Sequence, residues 1–306
     1  MSSARLSQSP NVAVSPLPYQ SRRRPFDIDA GVFQRGFNRR PFKIGHHLAD
    51  HPLLTLPSLI ELSKRLPESN VRYNRADVQV SQAVYSAPKT GLSIEDTIRQ
   101  IEECGSWMVL RFVDQDPEYR ALVDECLDEI QVFSGPIMPG MFKREGFVFI
   151  TSPGGVTPFH MDPEYNFLLQ IRGKKTASLL DVSDRSIVSE ELLEKFLSGD
   201  DYKHDFMDEY QDKAHLRLEP PCEGLHFPLN WPHWIKNGDE VPISFSITFR
   251  SHESERREIV YKVNNSLRKR AITPRPYGQS RLVDSAKFYA FRAARRTHSL
   301  VRRVPE

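Results

Sequence analysis

Residues 146–175 of the chain read GFVFITSPGGVTPFHMDPEYNFLLQIRGKK, and this stretch decides the fold. It combines an alternating apolar run, a glycine-rich turn and a second extended run that leads into His160 and Asp162. Two residues apart on an extended strand, these side chains point to the same face. An imidazole beside a carboxylate supplies two ligands of a metal site. His233, in the later stretch NWPHWIKNG, is the candidate third ligand.

Strand-like segments continue on both sides of this stretch. NFLLQIRG and KKTASLLD are predicted strands separated by a turn at Gly173, and HLRLEP, GLHFPLN and PHWIK follow. Asn237 and Gly238 form a strong β-hairpin signal before VPISFSITF, an alternating run that ends near Arg250. REIVYKV, further on, is also strand-like. About eight short strands favour an antiparallel double sheet of the jelly-roll or cupin type.

The region before this sheet has helical periodicity. LPSLIELSKRL, LSIEDTIRQIEEC and PEYRALVDECLDEIQVF are predicted amphipathic helices, and SWMVLRFV is a predicted strand. The helices are expected to cover one side of the sheet. The predicted fold is therefore mainly β with helical additions: a double-stranded β-helix with an N-terminal α/β layer and a C-terminal helical tail.

Composition suggests four regions. Residues 1–25 are rich in Ser, Pro and Arg, and are predicted to be a disordered tail. Residues 26–135 form the N-terminal helical and mixed layer that packs on the barrel. Residues 136–252 form the barrel, with a charged and mostly helical insertion at 183–214. Residues 253–306 form a basic C-terminal segment, partly helical.

Composition also bounds the class of protein. With 306 residues, 39% of them hydrophobic and 27% charged, the chain is typical of a globular protein. No apolar run approaches the ~20 residues of a membrane span, so no membrane association is expected. The three cysteines, Cys104, Cys126 and Cys222, are too few and scattered for a disulfide framework. A reducing cytoplasm is the expected location.

Charge is distributed unevenly along the chain. Residues 1–26 carry four arginines and no acid, and residues 268–306 carry eleven Lys and Arg against two acids. Because the whole chain has a net charge of +2, residues 27–267 carry −11. The basic ends are either solvated tails or contacts for an acidic partner, nucleic acid included. The helix predicted in RLVDSAKFYAFRAARRTHSLVRR either packs on the body or forms a homodimer or partner contact.

The proposed ligand set has a definite chemistry. Two histidines and one carboxylate leave three positions of an octahedral ion open, which suits Fe(II) in oxygen chemistry. A structural zinc site would instead use four ligands, usually including cysteine. The remaining histidines near the strands or in the insertion are interpreted as surface or packing residues: His204, His215, His226 and His252.

Lys175 adds a candidate anion receptor. It begins a predicted strand on which Ala177 and Leu179 share its face. Because an unpaired buried charge is expensive, such a lysine needs a carboxylate partner. A dicarboxylate cofactor could join it to the metal, and Thr157 could add a hydroxyl contact. In the last strand Ser244, Ser246 and Thr248 share one face, where small side chains leave room for a ligand.

The stretch VTPFHMDPEYNFLLQIRGKK closely resembles the core motif of the Jumonji-C-type oxygenases, which depend on Fe(II) and 2-oxoglutarate. Within this group it is similar to the asparaginyl hydroxylase that acts on hypoxia-inducible factor and to small bacterial cupin-like relatives. The resemblance covers about residues 145–250. The iron ligands and cofactor contacts that it implies are His160, Asp162 and His233 for iron, and Lys175, Thr157, Asn166 and Thr248 for 2-oxoglutarate. The family often adds a tyrosine from an upstream strand, which SWMVLRFV lacks.

Three functions remain open at this point. The first is a hydroxylase of a peptide, protein or small molecule that uses molecular oxygen and releases succinate and carbon dioxide. The second is a catalytically silent Jumonji-like binding or regulatory module that contacts a partner through its basic tail. The third is a cupin that uses another divalent metal for isomerase or hydrolytic work, which leaves Lys175 unexplained.

Overall fold

The computed structural model describes residues 24–82, 88, 90–213, 215–218 and 222–301. Nearly all of the tail predicted at residues 1–25 lies outside this part of the chain. The strands are β1 (Phe26–Asp27), β2 (Phe42–His46), β3 (Val71–Arg75), β4 (Ser106–Arg111), β5 (Met141–Thr151), β6 (Val156–His160), β7 (Tyr165–Arg172), β8 (Lys175–Leu179), β9 (His215–Leu218), β10 (Glu223–Phe227), β11 (His233–Asn237) and β12 (Ile243–Ser251). The helices are α1 (Ala30–Gly36), α2 (Leu56–Arg65), α3 (Ile94–Arg99), α4 (Pro117–Ser134), α5 (Glu190–Ser198), α6 (His252–Arg268) and α7 (Arg281–Val301).

The strands form two antiparallel sheets. The larger has the order β1-β2-β10-β7-β12-β5-β4-β3, and the smaller has the order β6-β11-β8-β9. Side chains of both sheets line one cavity, so the sheets face each other across it. This arrangement confirms the predicted double-stranded β-helix with helical additions. The upstream region also extends the larger sheet, because β1 to β4 are four of its strands.

Alternation along each strand divides the larger sheet into a core face and a cavity face. The core-facing side chains of β12 are Ile243, Phe245, Ile247 and Phe249. Ser246 and Thr248 alternate with them and line the cavity, as the sequence pattern predicts. Each fully buried phenylalanine contributes about 1.5–3 kcal/mol to folding. Moving the register by one residue would place these rings in the cavity.

The helices of the N-terminal region begin at side-chain caps and cover the core face. Thr55 caps α2, Ser93 caps α3 and Asp116 caps α4, each accepting a hydrogen bond from a backbone N–H in the first turn. The buried stripe of α4, which includes Leu122, Cys126 and Ile130 as the sequence predicts, joins the core. The cavity face is thereby left free for the site.

Three local predictions are wrong. Asn237 and Gly238 do not form a hairpin: β11 and β12 lie in different sheets, and the Gly238 N–H instead donates to the Lys174 carbonyl at 2.8 Å. REIVYKV is helical rather than extended, because Ser251 and Ser254 form a capping box that starts α6. The insertion at 183–214 is not mostly helical: in its described residues, 183–213, the helical parts are α5 and a short 3₁₀ turn at Asp208–Asp212.

The last helix packs through one stripe and exposes the other. Asp284 and Phe288 of α7 are buried, whereas Leu282 is 84% exposed and Tyr289 65% exposed. Arg256 of α6 lies over the Phe288 ring and donates to Ser285, which fixes the two helices together. None of the helices in the described ranges has both the length and the apolar content that a membrane span requires.

Candidate active site

The cavity between the two sheets has a volume of about 230 Å³. Among the described residues, those that line it lie between Trp107 and Thr248 in the chain. All seven site residues predicted from the sequence are among them: Thr157, His160, Asp162, Asn166, Lys175, His233 and Thr248. The fold therefore brings together residues that are up to ninety-one positions apart, and their chemical roles remain predictions.

His160, Asp162 and His233 converge at one end of the cavity. Their ligand atoms all lie within 4.8 Å of one another. Asp162 Oδ1 is 3.9 Å from His160 Nε2, and its Oδ2 is 3.7 Å from His233 Nε2. The two histidines lie opposite each other in the β6–β11 register. Asp162 lies just beyond β6 rather than on it, yet still reaches the same point.

Backbone hydrogen bonds fix which nitrogen each histidine offers. His160 Nδ1 donates to the Pro158 carbonyl at 2.7 Å, and His233 Nδ1 donates to the Trp231 carbonyl at 2.9 Å. Because a carbonyl only accepts, both Nδ1 atoms carry a proton, and the Nε2 atom of each ring in its neutral form offers a lone pair where the three side chains meet. Burial, and secondly the charge of His160, lowers the pKa of His233 to about 4. A neutral imidazole is the form that binds a metal.

A β-bulge places Thr157 and His160 on the same face of β6. Three residues apart on a regular strand, they would point to opposite faces. In the structure His233 pairs with His160 and Ile235 pairs with Thr157, so β6 has one extra residue between these two pairs. Both side chains consequently line the cavity.

Lys175 is a buried lysine whose ammonium faces the cavity. It is only 5% exposed, and it lies opposite Asn237 in the β8–β11 register. Within the described ranges its Nζ has no hydrogen-bond or ion-pair partner. Burial lowers the pKa of Lys175 to about 7. A carboxylate bound in the cavity would supply the missing partner.

The polar face of the larger sheet completes the cavity. Asn166 and Thr248 lie opposite each other in the β7–β12 register. Ser246 Oγ donates to Asn166 Oδ1 at 2.8 Å, so the Asn166 amide is held in place. Thr248 Oγ1 is buried and has no partner among the residues that the structure describes. An orphaned hydroxyl that faces a cavity fits a polar ligand there.

The structure adds cavity residues that sequence reasoning missed. Trp107 Nε1 donates to Thr157 Oγ1 at 3.1 Å from β4, the strand that lacks the family's tyrosine. Arg111, Glu145 and Glu164 also line the cavity. Strand alternation in SWMVLRFV places Trp107 and Arg111 on one face and could have identified both. Burial is the main cause that raises the pKa of Glu145 and Glu164.

His226 is a packing residue, and the alternative of a surface position is wrong. It is fully buried, and burial lowers its pKa to about 3. Its Nδ1 donates to the Asn166 carbonyl at 3.1 Å, and its Nε2 accepts from the Asn38 N–H at 3.1 Å. Both ring nitrogens are thereby satisfied, which leaves none for a metal.

Asn38 also supports the turn that precedes His233. Its side-chain Oδ1 accepts from the Leu229 N–H at 3.2 Å, and the next residue, Asn230, donates its N–H to the Asp162 carbonyl at 3.1 Å. The Trp231 carbonyl of the same turn accepts from His233. Residues 228–231 therefore connect the N-terminal layer to two of the three proposed ligands.

No protein-family model matches the chain, and no curated protein matches it. Solved structures do match. The structure of YcfD from Escherichia coli aligns with a TM-score of 0.50 at 15% identity, over 88% of this chain and 68% of that one. The chain has the jelly-roll fold of a Jumonji-C-type oxygenase. The resemblance stated for residues 145–250 is thus confirmed at the level of the fold.

Two further YcfD structures match at 15% identity and a TM-score of 0.47, over 88% of this chain and 67% of theirs. They are described as a ribosomal oxygenase in complex with cobalt and succinic acid, and with cobalt and 2-oxoglutarate.

The residues of the cavity fit a divalent metal with a carboxylate ligand. The two Nε2 atoms and the Asp162 carboxylate form an open set that leaves coordination positions for other groups. The partnerless ammonium of Lys175 and the orphaned hydroxyl of Thr248 provide donors in the same cavity. This combination suits a small anion that reaches both the metal and Lys175.

Proposed function

We propose that the chain is an Fe(II)- and 2-oxoglutarate-dependent oxygenase that hydroxylates a peptide, protein or small molecule. The observation that carries this proposal is one cavity in which an open His160–Asp162–His233 set faces a buried lysine without a partner. The expected reaction combines oxygen, 2-oxoglutarate and a substrate C–H bond, and yields a hydroxylated product, succinate and carbon dioxide. The matching solved structures support the fold alone.

His160, Asp162 and His233 would hold Fe(II) and leave one face of it open. Iron bound there would supply the redox chemistry that activates oxygen. The chain's own part is to keep the two Nε2 lone pairs aimed at the metal, which the Pro158 and Trp231 carbonyls do by fixing the tautomers. These bonds also hold the rings in orientation before a metal arrives.

Lys175 would bind the distal carboxylate of 2-oxoglutarate. Buried and unpaired, its ammonium is poorly stabilised alone, as the lowered pKa indicates. A carboxylate beside it would restore the charged form and gain a charge-assisted hydrogen bond. Thr157, Asn166 and Thr248 would complete the polar contacts of the cofactor. The rings of Phe147, Phe149 and Phe227 also line the cavity, and their apolar surface would limit the entry of water.

The substrate would approach the metal end of the cavity. Asp162 is 38% exposed at its side chain whereas His233 is 5% exposed, so the proposed metal faces outward on the Asp162 side. YcfD is described as a ribosomal oxygenase, and a protein substrate is the corresponding proposal for this chain. A reducing cytoplasm fits the three free thiols and is proposed as the location.

A silent binding module remains the second candidate, because one observation favours it. Helix α7 exposes Leu282, Tyr289, Arg292 and Arg295, which suits a partner of acidic character, nucleic acid or a second copy. The complete ligand set and Lys175 favour the enzyme, because a module without turnover needs neither.

Mass spectrometry of a cell extract can test the proposal. Extract incubated with the iron-loaded protein, 2-oxoglutarate and oxygen should contain one product heavier by a single oxygen atom. The same extract with the Asp162→Ala variant should lack that product. Failure of every extract and peptide to support turnover, despite bound iron, would favour the binding module.

A further inference from the structure

Trp107 donates a hydrogen bond to a residue of the proposed cofactor site. Its ring is 5% exposed and packs against Ala76 and Val109 in a small apolar cluster beside Phe147 and Phe149. The indole Nε1 donates to Thr157 Oγ1 at 3.1 Å, across fifty residues of sequence. Both residues line the cavity. The bond therefore joins β4 of the larger sheet to β6 of the smaller one.

The direction of this bond determines what the Thr157 hydroxyl can do. An indole N–H only donates, so Thr157 Oγ1 must accept from it. The hydroxyl hydrogen is then free to point elsewhere, and the described residues offer it no acceptor. Because the side chain faces the cavity, that hydrogen is available to a ligand in the cavity. Thr157 is thus biased toward donating rather than accepting.

Lys175 presents its donors to the same cavity. In the smaller sheet Ile235 of β11 pairs with Thr157 of β6 on one side and with Ala177 of β8 on the other. Lys175 precedes Ala177 by two residues and therefore shares its face. An ammonium has three donors and no acceptor. The Thr157 hydroxyl and the Lys175 ammonium both donate, and a carboxylate, which only accepts, is the matching ligand.

We propose that Trp107 is a positioning residue that fixes the Thr157 hydroxyl as a donor to the distal carboxylate of the cofactor. This inference rests on the proposed function, because it concerns the same cavity. Trp107 acts on the ligand through Thr157, and this role requires no direct contact between Trp107 and the ligand. The arrangement selects a carboxylate over its amide, since an amide NH₂ would face the donors of Thr157 and Lys175.

A double-mutant cycle tests the inference in the full chain loaded with Mn(II). Trp107→Phe removes the N–H but retains an apolar ring, and Thr157→Val removes the hydroxyl. Each should weaken 2-oxoglutarate binding about five-fold, as expected for one hydrogen bond. The double variant should bind no more weakly than Thr157→Val alone, because Trp107 acts only through the hydroxyl. Isothermal titration calorimetry measures all four affinities, and Mn(II) affinity should be unchanged.

Two further variants separate this bond from packing. Thr157→Ser retains a hydroxyl, so adding Trp107→Phe to it should still weaken 2-oxoglutarate binding. Trp107→His retains a ring N–H and should bind 2-oxoglutarate better than Trp107→Phe does. The parent protein should prefer 2-oxoglutarate to its distal monoamide, and Trp107→Phe should narrow that preference. The inference would be overturned if the losses of 2-oxoglutarate affinity in the two single variants multiplied in the double variant. It would also be overturned if Trp107→Phe left that affinity unchanged. A parent protein that binds no 2-oxoglutarate would instead contradict the proposed function.

Discussion

Lys175 is the residue that distinguishes this cavity from a simple metal site. It is buried without a partner, whereas its neighbour Lys174 is exposed. Lys175→Ala should weaken 2-oxoglutarate binding by at least ten-fold, since a charge-assisted hydrogen bond contributes about 1.5–3 kcal/mol. Calorimetry of the Mn(II)-loaded protein measures this effect, and Lys174→Ala is the matched control. Equal loss of metal and cofactor binding would indicate a folding defect and contradict the assigned role.

The same lysine predicts how the stability of the metal-free protein depends on pH. Its pKa is about 7 in the folded chain against 10.5 as a free side chain, so the unfolded chain binds more protons between these values. Stability should therefore rise as pH increases from about 7 to 10.5. The gain is at most ~5 kcal/mol, because one pKa unit corresponds to 1.36 kcal/mol.

Denaturant melts of the parent and of Lys175→Met at several pH values measure this dependence. Lys175→Met should remove most of the rise, because Met fills similar space without a titrating group. An identical pH dependence in the parent and the variant would show that Lys175 is not the cause.

At the scale of elements, the turn at residues 228–231 holds the metal ligands together. Asn38 supports it from the N-terminal layer with a backbone φ of 53°, a conformation that Gly and Asp also tolerate. Asn38→Gly should weaken Mn(II) binding about five-fold, less than the ~10–100-fold typical of groups bonded directly to a ligand. Asn38→Asp keeps the acceptor oxygen and should bind nearly as well as the parent. Equal losses of Mn(II) affinity in Asn38→Gly and Asn38→Asp would contradict the proposed support of the turn by the Asn38 side chain.

The elements also show which features sequence can predict. The two-residue alternation of β12 identifies its core and cavity faces, because strand geometry fixes them locally. The bulge that turns Thr157 into the cavity depends on pairing between β6 and β11, which no local pattern encodes. The wrong hairpin at Asn237 and Gly238 has the same origin: local turn propensity does not say which sheet the next strand joins. In α6, the serine cap and packing override the strand propensity of REIVYKV.

The site was more predictable than its surroundings. His160, Asp162 and Lys175 lie in a motif whose spacing is visible in the sequence, and His233 lies in the later stretch NWPHWIKNG. The fold brings all four to one cavity. The supporting residue Asn38 lies 188 residues from its partner His226. Such contacts arise only from the tertiary fold, and they carry no local signal.

At the scale of the whole molecule, the basic helix α7 lies outside the cavity. All lining residues in the described part of the chain precede it, so removing residues 279–306 should spare turnover of 2-oxoglutarate. The cut leaves α6 complete, because that helix ends at Arg268. The contact of Arg268 Nε with the buried Glu194 Oε2 at 2.5 Å, which anchors α5, is therefore kept. Loss of Phe288 should lower the melting temperature modestly.

Succinate release and thermal melting of the truncated chain measure both effects. The double variant Leu282→Ser, Tyr289→Ser is the control that keeps the helix but removes its exposed apolar side chains. Complete loss of turnover on truncation, with the fold intact by circular dichroism, would show that α7 contributes to the site.

The central claim is that one cavity binds Fe(II) and 2-oxoglutarate and turns the latter over. Oxygen-dependent formation of succinate from 2-oxoglutarate, by purified protein loaded with Fe(II), tests it most directly. The parent should form succinate slowly even without substrate, and Asp162→Ala, which loses a metal ligand, should form none above background. A parent protein that holds stoichiometric iron yet makes no more succinate than Asp162→Ala would contradict the claim.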